Sequence, residues 1–271
     1  MLPLYFIRDV AQPGSALAWG ARGRWFESSR PDSFLEISIF PFYILTIADK
    51  ILHFYSNVDF NGTLPEGIHM MNPYKESKDI PDLCAQFYQK FYNDEQPREL
   101  ILGINPGRLG AGATGIPFTD TKRLNEECGI KYDIFSTHEP SSVFIYAMIK
   151  AYGGVEKFYQ RFYINSVCPL GFIKVNDRKP INYNYYDSKE LESKVSDFII
   201  SNIQTQISIA RNSEVCYCLG TGKNYQYLNK LNMEHQIFRK VIALEHPRYI
   251  MQYKNKYKDD YIAEYIRKFE E

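Results

Sequence analysis

Four short apolar runs, separated by stretches of helical periodicity, constrain the fold more than any other feature of this chain. They lie at residues 100–104, 162–166, 215–219 and 238–244. Each is short and nearly continuous in its apolar character, which suits a strand buried on both faces. The intervening stretches read as helices. Residues 81–92 place Leu83, Phe87 and Phe91 at helical spacing, and 140–149 opens on Pro140 and stops at Gly153-Gly154. A short helix is predicted over 156–160. Residues 187–209 carry Leu191, Val195, Phe198, Ile199, Ile203 and Ile207 on one stripe, with Asp187 and Glu190 spaced as a capping box. Further helices are predicted over 48–55, 222–231 and 259–269. Residues 171–186 are polar and aromatic and read as loop. Strands alternating with helices give an α/β fold, a three-layer αβα sandwich around a central, mostly parallel four-stranded sheet.

Bulk properties narrow the function. The chain has 271 residues, 45% of them apolar, and a formal net charge of zero. Neutrality gives no global basic footprint for nucleic acid, but a local patch remains compatible with it. The cysteines are Cys84, Cys128, Cys168, Cys216 and Cys218, with no Cys-x-x-Cys pair. A disulfide scaffold, a zinc site and an iron–sulfur cluster are not expected, and no metal or cofactor is called for. Reduced thiols fit a cytoplasmic protein. The longest apolar stretch, 34–48, is broken by Glu36 and Pro41 and falls short of the ~20 residues of a spanning helix, so no membrane role is expected.

Composition breaks near residue 45. Both tryptophans, Trp19 and Trp25, precede residue 30, every lysine falls at Lys50 or later, and 11–31 is rich in Ala, Gly, Arg and Pro. Residues 10–32 resemble the conceptual translation of a tRNA gene. The expectation is that 1–45 is a non-native or disordered extension and that 46–271 forms one domain.

Open α/β sheets bind ligands at the carboxyl ends of their strands. Asn105 follows the first strand, Asn165 lies near the end of the second and His246 follows the fourth, so these three polar groups are predicted to share one edge. After Gly103, Ile104 and Asn105 comes a glycine-rich loop that closes on Phe118. One neutral amide, flexible backbone and one ring suit a pocket for a flat polar heterocycle. Two helix starts present exposed N–H groups that suit phosphate: Ser141-Ser142 after Pro140, and Thr221-Gly222-Lys223 after the third strand.

The segment Gly103-Ile-Asn-Pro-Gly107, followed by Thr114-Gly-Ile-Pro-Phe118, resembles the first motif of the uracil-DNA glycosylase superfamily, in particular its single-strand-selective monofunctional branch. Asn165-Ser-Val-Cys-Pro-Leu170 is similar to the second motif. His246-Pro-Arg-Tyr249 matches the third, where the family carries His-Pro-Ser. That departure marks a divergent, second type of this branch and leaves the duplex wedge to Arg248 or Tyr249. The resemblance implies a uracil-DNA glycosylase-like fold and a monofunctional, cofactor-free, monomeric DNA glycosylase acting on uracil or another deaminated base, xanthine and hypoxanthine included. Asn105 would position the attacking water. Phe118 would stack on the flipped base beside Gly103, Ile104 and a rim at Gly115. Asn165 would match the base edge, with both donors and an acceptor, and His246 would stabilise the departing base. The rival from another class is a non-catalytic α/β module binding a nucleotide or single-stranded nucleic acid. A third possibility is a hydrolase of free nucleosides.

Overall fold

The computed structural model describes residues 45–175 and 179–271. The expectation placed on the N-terminal extension lies outside these residues, apart from Leu45.

The strands are β1 (Ile68–Met71), β2 (Glu99–Gly103), β3 (Phe162–Ser166), β4 (Gly171–Val175), β5 (Pro180–Tyr183), β6 (Val215–Leu219) and β7 (Lys240–Leu244). The helices are α1 (Ile47–Asn57), α2 (Pro73–Glu76), α3 (Ile80–Phe91), α4 (Ala111–Thr114), α5 (Thr121–Glu126), α6 (Pro140–Tyr152), α7 (Val155–Arg161), α8 (Lys189–Ala210), α9 (Lys223–His235), α10 (Pro247–Tyr253) and α11 (Lys258–Phe269). A 3₁₀ turn, Asn255–Tyr257, joins the last two.

The central sheet has the order β3-β2-β6-β7, and all its pairs are parallel. Its covering follows from the pleat, since neighbouring residues of a strand point to opposite faces. Phe162 packs its ring on Phe269 of α11 and Phe158 of α7. The next residue, Tyr163, packs on Tyr92 beside α3. One face is therefore closed by α6, α7 and α11, the other by α1, α3 and α8, giving the expected three layers. On β6, Cys216 and Cys218 fill one face as small buried residues, while Tyr217 meets Phe269 on the other.

Three features depart from the expected pattern. Residues 171–186 are not simply loop: β4 and β5 pair antiparallel, and β1 adds to β4, making a second three-stranded sheet. The long helix α8 is capped by Ser188, whose hydroxyl accepts from Leu191 N, rather than by Asp187. Asp187 instead accepts from Asn184 N and closes the preceding turn. Residues 247–253, to which the sequence assigned no element, form α10, whose cap is the His246 ring. Among the described residues no helix is long and apolar enough to cross a membrane.

Candidate active site at the strand ends

Asn105 and His246 face one cavity at the carboxyl edge of the central sheet. The cavity holds about 260 Å³, and Phe118, Glu139 and Arg248 also line it. That volume lies below the roughly 300–1,000 Å³ of drug-sized sites, which suits one flat ring.

The sequence places Asn105 two residues past the end of β2, where the ladder no longer uses its backbone. Its amide reaches across to the second sheet instead. Nδ2 donates to Tyr183 O at 3.2 Å, and Oδ1 accepts from Tyr185 N at 3.1 Å. The second sheet thus fixes the orientation of the amide. Oδ1 keeps one lone pair for a further partner, because a carbonyl oxygen carries two.

His246 sits in extended backbone just before α10, and its Nδ1 accepts from Arg248 N at 3.1 Å. An Nδ1 that accepts leaves the ring proton on Nε2, so the neutral ring is a donor. Burial, with a smaller contribution from the Arg248 charge, pushes the ring down to about 4. The neutral form therefore prevails above that pH.

Phe118 packs 6.3 Å from the His246 ring, centroid to centroid. Its φ of 54° is left-handed, a costly conformation for an aromatic residue. Hydrogen bonds hold it there. Thr114 Oγ1 donates to Thr119 O at 2.7 Å, and Thr119 Oγ1 bonds both Pro117 O and the Tyr146 hydroxyl. Gly103 leaves the space the ring occupies: a β-carbon on it would stand 2.7 Å from Phe118 Cζ.

Asn165 stands behind the cavity, its backbone oxygen 3.5 Å from the β-carbon position on Gly103 that the Phe118 ring covers. The pleat turns it to the same face as Tyr163, and its amide is buried, with Nδ2 donating to the Tyr163 hydroxyl at 2.8 Å and Oδ1 accepting from Ser166 N. Gly115 is not on the rim. It adopts a φ of 71° behind α4, where a β-carbon would stand 2.7 Å from Ile80 and 2.8 Å from Cys84 Sγ. Its role is a close approach of the loop to α3. Gly115→Ala is expected to cost about 2–4 kcal/mol from left-handed strain and overpacking. A thermal melt reads this directly, and an unchanged midpoint would show that the packing is not tight.

The expected phosphate contacts also divide. Ser142 is fully buried, and its hydroxyl donates to Asp120 Oδ2 at 2.7 Å, so it serves the interior and not a phosphate. Ser141 lines the cavity, as does Arg248, and the exposed Tyr249 stands at the same mouth. Thr221 donates to the Glu245 carboxylate, which sets a negative charge beside that helix start. Gly222 is open, and the Lys223 ammonium lies over the Tyr186 ring at 5.7 Å.

Other residues were missed. Glu139, Asn182, Asn184, Gln252 and Tyr253 line the cavity. Buried Asn224 ties the ends of β2 and β6 together, donating to Gly103 O and Leu219 O and accepting from the Tyr185 hydroxyl. Burial raises all five thiols above their usual range, so none is a ready nucleophile. Among the described residues no group of three His, Cys, Asp or Glu could hold a metal ion.

The family model described as the uracil DNA glycosylase superfamily matches residues 89–270. The chain is also similar to the crystal structure of wild-type SMUG2 from Pedobacter heparinus, at 53% identity and a TM-score of 0.82, over 84% of this chain and 98% of that one. No curated protein matches significantly.

Proposed function

The chain belongs to the uracil DNA glycosylase superfamily, and on that premise we propose that it is a monofunctional, monomeric DNA glycosylase that excises uracil or another deaminated base, xanthine and hypoxanthine among them. The observation that carries the reading is the shared cavity of Asn105 and Phe118, at the two ends of one loop, with His246, which lies far away in sequence. A flipped base fits against the Phe118 ring. The neutral His246 ring donates from Nε2 to an oxygen of the base and stabilises the negative charge that develops as the base departs. Water held on the free lone pair of Asn105 Oδ1 meets the sugar carbon from the other side. Flipping costs a few kcal/mol and is cheapest at mismatches and in single strands, where deaminated bases are found. Ser141, Arg248, Lys223 and the open start of α9 are the groups available to the phosphates, and Arg248 or Tyr249 to the gap left by the flipped base.

A second reading, a non-catalytic nucleotide- or single-strand-binding module, is favoured by one observation: both functions of the Asn105 amide are already engaged by the second sheet. One assay separates the readings. Strands bearing uracil, xanthine or hypoxanthine are incubated with the protein and then treated with alkali. Cleavage at the damaged position is expected for at least uracil, and intact strands for all three bases would leave only the binding module. Release of uracil from free deoxyuridine would point instead to a nucleoside hydrolase.

A further inference from the structure

Glu139 has a carboxyl group that the fold does not use. It occupies the N-cap position of α6, where a side chain ordinarily bonds the first turn, yet it makes no capping bond. Its backbone is firmly held: Glu139 N donates to Asp120 Oδ2 at 2.9 Å, and Glu139 O accepts from Ser142 N and Ser142 Oγ. The side chain extends over the glycine loop. Oε1 lies 3.7 Å from where a β-carbon on Gly107 would stand, and a methyl group on Gly110 would overlap the carboxylate. Only glycine at 110 gives it this seat. From there it lines the same cavity as Asn105 and His246, and among the described residues its oxygens take part in no hydrogen bond.

The cavity lacks one function without it. Hydrolysis delivers a water to the sugar carbon, and that water must lose a proton. An amide can orient water but is a very poor proton acceptor, and the His246 ring is already committed as a donor, with Nδ1 occupied. We propose that Glu139 is the general base of the reaction, a proposal that rests on the glycosylase reading. The bond from C1′ to the base nitrogen breaks and its electron pair leaves with the base. Water adds its oxygen to C1′, and its proton passes to the Glu139 carboxylate. The products are the base anion, a hydroxylated C1′ and a neutral Glu139, which returns to the carboxylate by releasing its proton to the base or to solvent.

The surrounding charges set when this carboxylate is ready. Desolvation by burial pushes it up to about 7, the Asp120 carboxylate pushes the same way, and Arg248 opposes both. Asp120 is itself flanked by Arg123 and His138 at 3.6 Å each. Arg108 of the glycine loop is exposed, and the neutral His246 adds no charge. The carboxylate form is the active one, so the rate rises with pH up to about 7 and levels above it.

Single-turnover release of uracil from a single strand tests this for the wild-type protein, Glu139→Gln and Glu139→Asp across that range. The wild type should gain about tenfold per pH unit below 7. Glu139→Gln should fall about 10²-fold with its rise near pH 7 abolished, while DNA affinity and melting temperature hold, and Glu139→Asp should recover part of the rate. A wild-type rate that is flat across pH 7 overturns the proposal, even where Glu139→Gln fails to fold. So does a Glu139→Gln rate within threefold of wild type, or a lowered rate with the wild-type pH profile; these leave the glycosylase reading standing. A wild type that releases no base overturns that reading and the role of Glu139 together.

Discussion

Asn105→Ala is expected to lower single-turnover base release roughly 10³-fold while leaving DNA affinity within a fewfold of wild type. Two physical effects contribute. The substitution removes the oxygen that holds water, and it leaves Tyr183 O and Tyr185 N without their partner. Each orphaned, partly buried backbone group costs on the order of 1–3 kcal/mol, so a drop in stability accompanies the loss of rate. Asn105→Asp separates the two. Its carboxylate still accepts from Tyr185 N and still holds water, but it sets an oxygen against Tyr183 O, now 3.2 Å from Nδ2. Stability should fall while the rate stays within about tenfold of wild type. A second carboxylate in the cavity also pushes Glu139 further up, so the comparison belongs above about pH 8. If both variants lose the rate equally, Asn105 acts by anchoring β2 to the second sheet, and the water-positioning role is wrong.

The central sheet was legible because its strands are buried on both faces and so read as continuous apolar runs. The second sheet was not. β5 opens on Pro180, is exposed over its first half and, like β1, has only four residues, so neither shows a period against its flanks. These strands owe their pairing to β4 and not to their own patterns. Helix α10 was hidden for a different reason: its cap is a histidine ring, outside the usual Ser, Thr, Asp and Asn set.

The same physics explains which site residues could be found. The rule of strand ends located Asn105 and His246, since it concerns where a segment lies. It could not say which way Asn165 points, because that depends on the parity of one residue on β3. The signal for Glu139 was present: a glutamate immediately before a helix-opening proline, at a position better filled by a short capping side chain. A residue poorly matched to its local task is one whose side chain is free for another. The left-handed backbone of Phe118 belongs here too. No local propensity favours it, and bonds from the Thr114 and Thr119 hydroxyls, set by the loop as a whole, help to sustain it.

His246→Ala is expected to reduce base release roughly 10²- to 10³-fold, the usual loss when one donor to a developing anion is removed. The effect depends on the ring being neutral. The folded protein holds His246 down at about 4, against an ordinary histidine at about 6.5. Above the unfolded value neither state carries the proton and the group is silent. As the pH falls from about 6.5 towards 4, the unfolded chain takes up a proton that the native ring refuses, and stability drops by at most about 3 kcal/mol. Below about 4 the native ring is protonated as well. Nδ1 then becomes a donor facing the Arg248 N–H, so the bond that caps α10 is lost, and the contribution of this group to the pH dependence levels off. His246→Gln should therefore resist acid unfolding better than the wild type while remaining slow, since it has lost the ring donor. Proton NMR of the imidazole gives the direct measurement. A ring that titrates near 6.5 in the folded protein would mean a cation in the cavity at mildly acid pH, and the neutral-donor account of base release would fail.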